Sequence, residues 1–397
     1  MAADDAAGSD PDDSSDINPF ANLPMFGDLA KALSGQGPLN WDAARQFATL
    51  SSTGGGSESN VDPTVRMAYD ALTPIVDMHV RDVTSLDTPR VELELTTKGV
   101  WAQRTLDAYR PLFTDLAVSL GRPAAGTPDA PDDPMLAMMA GLSHMMAPSM
   151  MGMALGSMVG RLAARAFGQY DLPIPRSSTT SLLIVPATVD AFAADWSLPH
   201  DEMRLWVLAQ ELIGHAVFSH DTVRTTITSL VQRHVGAFSP DPTSVSEKLA
   251  TLEFDDSDPM AALQKAFSDP EVLLGAVRSP DQIAQAPVLD AAIAAVVGYV
   301  DYMVDAVAAR LIGGDALRIA EAVRRRRLEA TAEDVFIERL LGLQITPTQV
   351  QRGKNFVGGV VDRAGESALV SLFSAPDALP TPAEIDAPGL WLARIEL

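Results

Sequence analysis

Glu211 and His215 lie four residues apart in an apolar stretch, and both side chains are of types that bind metals or transfer protons. Residues four apart project from one face of a helix, so the two groups would lie side by side. His220 follows at the predicted end of this helix, and Asp301 is a further carboxylate later in the chain. Because imidazoles and carboxylates bind zinc, one hypothesis is a metal site that uses Glu211, His215 and either His220 or Asp301.

In the alternative interpretation, these side chains have no metal-binding or catalytic role. Glu211 is then a residual buried or cleft carboxylate paired with Arg or Tyr. His215 and His220 are then ordinary helix-surface or capping residues. The remaining histidines are scattered and show no ligand-like spacing.

The pentad Gln210-Glu211-Leu212-Ile213-Gly214 matches the zinc motif H-E-x-x-H only at its glutamate. In that motif, two histidines on one helix face hold Zn²⁺, and the glutamate acts as general base on the bound water. A carboxamide is a poor zinc ligand, and glycine offers no ligand at all. The pentad therefore predicts a site that keeps the base-like Glu211 and lacks both imidazoles.

Several other segments, in a fixed order along the chain, place the pentad in a wider pattern. They are Asn40-Trp41, Tyr170-Asp171-Leu172-Pro173-Ile174-Pro175, Gly298-Tyr299-Val300-Asp301, Gln351-Arg352-Gly353-Lys354-Asn355-Phe356-Val357, Leu379-Pro380-Thr381 and Pro388-Gly389-Leu390-Trp391-Leu392-Ala393-Arg394. With these segments, the chain from about residue 18 onward resembles the zincin-like hydrolase family of actinobacteria. Members are described as zincin-like hydrolases or zinc-dependent metalloproteases, and one branch is associated with deazaflavin coenzyme biosynthesis.

The resemblance also implies a second ligand-bearing helix. Better preserved members carry the pattern E-G-H-x-D there, and the equivalent positions in this chain are Val297, Gly298, Tyr299 and Asp301. The glutamate and the histidine of that pattern are thus replaced by Val297 and Tyr299, so two more candidate ligands are missing. The resemblance implies a degenerate metal site at Gln210, Gly214, Val297 and Tyr299, with Glu211 as the remnant general base.

From the degenerate motif we expect a non-catalytic protein that acts by binding an unknown protein or peptide partner. No bound cofactor is expected, with zinc as the alternative. The alternative function is an active zinc-dependent metalloprotease or hydrolase with an unorthodox site made from Glu211, His215 and His220 or Asp301. Fold and chemistry are separable, so the family name does not restore a lost reaction.

Helical periodicity dominates the chain and predicts a mainly α fold with a few short β-strands, a zincin-like helical core. The predicted helices after residue 60 are Val65–Val80, Trp101–Leu120, Gly152–Phe167, Glu202–Ser219, Thr222–Val235, Pro259–Phe267, Ser279–Leu311, Ala316–Leu328, Ala332–Leu341, Pro347–Ala364 and Ser367–Phe373. Val91–Leu95 and Ser181–Pro186 read as a short edge hairpin or as isolated strands.

The predicted organisation has three parts. Residues 1–18 form a disordered acidic N-terminus. Residues 19–60 hold a short helical segment around Trp41–Leu50 and a Ser- and Gly-rich linker, and residues 61–397 form the zincin-like helical domain.

Composition narrows the classes of function. The 397 residues include no cysteine, which excludes disulfides and thiolate chemistry. A formal net charge of −23 argues against nucleic acid as a partner, because binding to phosphates rests on Lys and Arg. The first 30 residues carry seven Asp and no Lys or Arg, the reverse of an export signal, so a cytoplasmic location is expected.

Two charged or apolar stretches each have two interpretations. The 26 residues Met135–Gly160 carry no formal charge and could span a membrane, but Pro148 divides them, and glycines at 152, 156 and 160 equally suit close packing in a soluble core. We therefore expect a soluble core helix here and no membrane association. The run Arg324–Arg327 is predicted to be a solvated helix face, with a patch for nucleic acid or acidic lipid as the alternative. Asp301 and Asp305 are predicted to be solvated or salt-bridged near Arg310, with a pair of acid/base carboxylates as the alternative.

Overall fold

The structure, a computed structural model, describes residues 37–86, 89–121, 134–176, 181–238, 279–331 and 335–396. For residues 134–140 and 142–144 only the backbone is described. The predictions for residues 1–18 and for a helix at Pro259–Phe267 lie outside these ranges.

The mainly α fold class is confirmed. The α-helices are α1 (Trp41–Thr53), α2 (Pro63–Thr84), α3 (Lys98–Ala108), α4 (Arg110–Leu120), α5 (Pro134–Arg165), α6 (Pro186–Asp195), α7 (His200–Ser219), α8 (Asp221–Gly236), α9 (Pro280–Leu311), α10 (Ala316–Leu328), α11 (Phe336–Leu340), α12 (Pro347–Ala364) and α13 (Pro388–Ile395). Short 3₁₀ helices cover Gln169–Asp171, Gly313–Asp315 and Glu366–Phe373. The strands are β1 (Glu92–Leu95) and β2 (Ser181–Ile184).

The two strands pair with each other in parallel, with Glu92 opposite Ser181 and Leu95 opposite Ile184. The predicted edge hairpin is therefore wrong, because a hairpin requires antiparallel strands. Parallel strands need a long crossover connection, and the chain between them includes α3, α4 and α5.

The predicted helix Trp101–Leu120 is divided into α3 and α4 at Tyr109. Pro111 lies in the first turn of α4, where a backbone N–H has no partner within the helix and its loss costs little. Helix α4 packs against α8, and a groove lies between these two helices.

Helix α5 passes through Pro148 without a break, contrary to the sequence prediction, and α1 lies along it. Asn40 caps α1 with its side-chain oxygen and donates its backbone N–H to the Pro148 carbonyl at 2.9 Å. A Cβ atom at Gly156 or Gly160 would overlap the backbone of α1, and one at Gly152 would overlap the backbone of its N-cap residue Asn40. The glycine spacing therefore serves close packing of two helices inside the protein.

Helices α7 and α9 form the centre of the core. Every residue from Trp206 to Phe218 in α7 is buried, and so is every residue from Ala291 to Tyr299 in α9. A helix that is apolar all round belongs in a core or in a membrane. In the part of the chain that the structure describes, α9 is the one helix long and apolar enough to cross a membrane, and it packs against α2, α7, α8 and α12.

Candidate functional site

Positions 210 and 214 of α7 and positions 297 and 301 of α9 line one cavity of about 80 Å³. The spacing of four residues on each helix places both pairs on facing sides. The cavity has room for several water molecules. Three of the four positions of the predicted degenerate site therefore come together: Gln210, Gly214 and Val297.

Tyr299, the fourth predicted position, does not line this cavity. Its ring packs edge-on against Phe373, with centroids 4.9 Å apart. Burial raises the pKa of its hydroxyl. Tyr299 therefore belongs to the packing of α9 against the Glu366–Phe373 segment.

The ring of Tyr170 fills the space beside Gly214. A Cβ atom at position 214 would lie 3.0 Å from a carbon of that ring, tighter than ordinary van der Waals contact. The same ring stacks on Phe218 at 5.2 Å. Any side chain at 214, including the second imidazole of H-E-x-x-H, would therefore require the Tyr170 ring to shift.

Glu211 is fully buried and faces away from the cavity, against the backbone of Gly168 and Tyr170. Its Oε2 accepts a hydrogen bond from the Tyr170 N–H at 2.9 Å, and the Gln169 N–H also interacts with the carboxyl group. Burial, with a smaller contribution from the negative charge of Asp171, raises its pKa to about 8. The carboxyl group is thus mostly protonated at neutral pH. Its hydrogen-bond partner is a backbone amide, not the Arg or Tyr side chain that was predicted.

His215 is buried, so the interpretation as a helix-surface residue is wrong. Its Nδ1 lies 3.0 Å from the Tyr170 hydroxyl. Burial lowers its pKa below the ordinary value of histidine. The ring is therefore neutral at physiological pH and linked to Tyr170.

His220 is the residue at which α7 ends and α8 begins, which agrees with a capping position. Its ring stacks on Phe373, with centroids 5.2 Å apart and an interplanar angle of 20°. Among the residues described, no three His, Asp or Glu side chains lie close enough together to hold a metal ion.

Asp301 is held by α10, not by Arg310 as the sequence suggested. Arg327 Nη1 lies 3.2 Å from Asp301 Oδ2, and Arg324 reaches it at 3.9 Å. Arg310 instead pairs with Asp82.

The prediction of a solvated face for Arg324–Arg327 is wrong for three of the four residues. The side chains of Arg324, Arg326 and Arg327 are 30%, 19% and 22% exposed, whereas that of Arg325 is 62% exposed. Arg326 lies with its guanidinium 3.6 Å above the Phe167 ring and donates to the Arg165 carbonyl. Burial lowers the pKa of Arg326 to about 10, so it stays charged. Arginines at the end of a helix can point into the protein when carboxylates from other segments lie close enough to pair with them.

The cavity holds three arginines and three carboxylates. Arg327 pairs with Asp301, Arg165 pairs with Glu338, and Arg326 lies 3.9 Å from Asp171. Burial raises the pKa of Glu338. The formal charges of these six side chains cancel, so the cavity offers no net charge to a divalent cation.

Two polar side chains of the cavity keep a buried oxygen without a partner in the described residues. They are Gln210 Oε1 and Glu338 Oε2, and each residue is 7% exposed. A buried acceptor that is left unpaired costs about 1–3 kcal/mol. Both oxygens could be satisfied by a ligand that donates hydrogen bonds.

Zinc is the metal that the H-E-x-x-H motif would hold, and the residues present do not fit it. A tetrahedral zinc site takes three or four nitrogen, sulfur or carboxylate ligands. The cavity offers an amide at 210, no side chain at 214, an alkyl group at 297 and a carboxylate at 301 that is already paired with Arg327. Glu211 and His215 do not line it.

The sequence did not indicate the roles of Tyr170, Asp171, Arg165, Arg326 and Glu338 in this site. A signal was present for the first two, which lie in a segment that carries the family resemblance. The Asp171 side chain accepts from the backbone N–H of Phe167 and Gly168 and so shapes the turn that faces Glu211.

Comparisons with known proteins support the resemblance to the zincin-like family. A family model described as zincin-like metallopeptidase matches residues 39–392. One solved structure, titled "a putative hydrolase with a novel fold" from Chloroflexus aurantiacus, aligns with a TM-score of 0.56 at 20% identity, covering 90% of this chain and 99% of that chain. At this identity the likeness concerns the fold. No curated protein sequence matches the chain.

Proposed function

Because this chain belongs to the zincin-like metallopeptidase family, we propose that it is a non-catalytic member that has kept the fold of a zinc hydrolase and acts by binding. One observation carries the proposal. Where the zinc-binding pattern has its ligands on α7 and α9, this cavity has Gln210, Gly214, Val297 and Asp301, and only the last has a side chain that zinc prefers.

The surroundings of Glu211 support the same conclusion. A general base must reach the water or substrate proton that it removes. Glu211 is 0% exposed, is hydrogen-bonded to the Tyr170 backbone and does not line the cavity. Its carboxyl group serves as an internal packing and hydrogen-bonding group.

The binding role is supported by the unpaired acceptors Gln210 Oε1 and Glu338 Oε2. We propose that the cavity receives a small donor-bearing group, such as an ammonium or amide group from a protein or peptide partner. We propose that such a group enters past Gln344 and Ile345, which line the cavity and are half-buried.

Metal analysis of the purified protein tests the loss of zinc chemistry. We expect well under one zinc per chain after dialysis against zinc, and no zinc-dependent peptidase activity. The double variant Gln210→His/Gly214→His is the matched control, and it should also fail to bind zinc tightly because Tyr170 obstructs position 214. Near-stoichiometric zinc in the wild type that His215→Ala removes would establish the alternative, an active metallohydrolase with an unorthodox site.

A thermal-shift titration with glycinamide tests the binding role. A ligand that binds only the folded state stabilises it by mass action. Glycinamide should raise the melting temperature of the wild type and have no effect on Gln210→Leu, which lacks the acceptor. Tetramethylammonium at the same concentration has no N–H donor and serves as the control. An equal shift with both compounds would contradict the proposed recognition.

A further inference from the structure

We infer that the groove between α4 and α8 is a second binding site, for a small organic carboxylate with an apolar body, and that Arg176 is the group that recognises it. The groove has a volume of about 430 Å³ and shares no lining residue with the cavity of α7 and α9. This volume lies in the range of ligand pockets.

Arg176 is a buried cation without an anionic partner. The residue is 7% exposed, and no Asp or Glu of the described residues forms an ion pair with it. Its Nη2 donates to Thr105 Oγ1 at 2.6 Å, whereas its Nε has no hydrogen-bond partner in those ranges. Buried charges are normally paired, so an unpaired guanidinium in a groove indicates a missing anion.

Two aromatic rings fix the position of this guanidinium. It lies 5.7 Å from the centre of the Trp101 ring and 5.5 Å from that of Tyr109. These contacts and the Thr105 hydrogen bond hold its plane before any ligand arrives. A preorganised arginine suits a carboxylate, whose two oxygens match two parallel N–H groups.

Glu211 interacts electrostatically with Arg176 but does not neutralise it. Burial raises the pKa of Glu211 to about 8, so its carboxyl group carries little charge at neutral pH. The hydroxyl of Tyr109 donates to the Ile174 carbonyl and stays neutral, because burial raises its pKa. The positive charge of Arg176 is therefore still available to a ligand.

The rest of the groove suits an anion with an apolar body. Its lining in the described part of the chain contains no acidic side chain. On α8 the exposed residues Thr225, Thr228, Ser229 and Gln232 follow the spacing of one helix face and present hydroxyl and amide groups.

The opposite side of the groove is apolar. It is made by Tyr109, Pro111, Leu112, Ile174 and Pro175. Arg224 also lines the groove, paired with Asp221 at the start of α8. An anion can thus place its carboxylate at Arg176 and its hydrocarbon part against this wall.

Calorimetric titration of the full chain with hexanoate and benzoate tests the inference, with hexanamide as the uncharged control. Hexanoate should bind and hexanamide should not. Arg176→Gln keeps a donor for Thr105 and should weaken hexanoate binding by about ten- to a hundredfold, the value of a charge-assisted hydrogen bond.

A second variant tests the groove independently, in case Arg176→Gln does not fold. Thr228→Asp adds a carboxylate on the exposed side of α8 that faces the groove, and it should weaken hexanoate binding at least about tenfold, because the new charge repels the ligand and competes for Arg176. Val118→Asp adds the same charge on an exposed position of α4 outside the groove and should leave binding unchanged. Equal binding of hexanoate and hexanamide, tighter binding of inorganic phosphate, or full affinity in Thr228→Asp would each overturn the inference.

Discussion

The buried carboxyl group of Glu211 should make the protein less stable as the pH rises, and Glu211→Gln should remove this effect. The pKa of this group is about 8 in the folded protein against an ordinary value of 4.5. Between these values the folded state keeps the proton and the unfolded state has lost it. Stability contributed by this group is therefore complete below pH 4.5 and is lost as the pH rises toward 8.

The size of the effect follows from the two pKa values. Each pH unit between them costs about 1.4 kcal/mol of unfolding free energy, so the whole interval costs about 5 kcal/mol. This is a large part of the stability of a typical protein. Glutamine has the same shape, keeps an oxygen for the Tyr170 N–H and has no proton to lose, so the variant should match the wild type near pH 5 and exceed it near pH 8.

Urea unfolding of both proteins from pH 5 to pH 9 measures the difference directly. Other titrating groups that face Glu211 or lie near it, among them Asp171, Tyr170 and His215, are present in both proteins and cancel in the comparison. The exposed Glu321→Gln serves as the control and should run parallel to the wild type. If Glu211→Gln also runs parallel, or falls below the wild type as the pH rises, then Glu211 is ionised in the folded protein and the argument for a neutral internal carboxyl is refuted.

Three further variants test the packing and charge of the site by equilibrium unfolding. Gly168→Ala should lower stability by about 1–3 kcal/mol, because its Cβ would overlap the Glu211 carboxyl, whereas Gly141→Ala, which has no described atom within 4 Å of the added Cβ, should be neutral or stabilising. Gly156→Ala should lower stability by a similar amount by forcing α1 away from α5, and an unchanged midpoint would refute this contact. Asp301→Asn should cost about 1–3 kcal/mol by depriving Arg327 of its partner, more than Asp305→Asn, because the Asp305 side chain is 46% exposed and that of Asp301 only 14%.

The positions of the helices were largely predictable because a 3.6-residue period is a local property of the sequence. The effect of a proline on a helix was predicted wrongly twice, because it is not a local property of the sequence. Pro111 divides a predicted helix and opens α4, whereas Pro148 lies inside α5 without ending it. At Pro148 the helix is packed against α1, and Asn40, more than 100 residues away, bonds both Pro148 and Ser149. Pro74 and Pro287 likewise lie inside helices, so a proline in the sequence does not by itself mark a helix end.

The site was predictable in its positions but not in its orientation. The spacing in the pentad was enough to place Gln210 and Gly214 on one face, with Glu211 and His215 on the next. Which face meets the cavity depends on α9, and the neighbours of Glu211 come from the turn at Gly168 and Tyr170, some 40 residues earlier. The inward arginines of α10 were missed for the same reason, since their carboxylate partners belong to other segments.

The charges around the cavity oppose the binding of a divalent metal ion. Carboxylates that surround a divalent cation lose their counter-charge when the cation is absent, and burial makes the remaining repulsion costly. Here Asp301, Asp171 and Glu338 each have an arginine from α10 or α5 beside them. A zinc ion entering the cavity would have to displace at least one guanidinium and would meet the fixed positive charge of the others. Histidines introduced at 210 and 214 would therefore supply ligands without the electrostatic field that a zinc site needs. A zinc site here would also require replacement of Arg326 and Arg327.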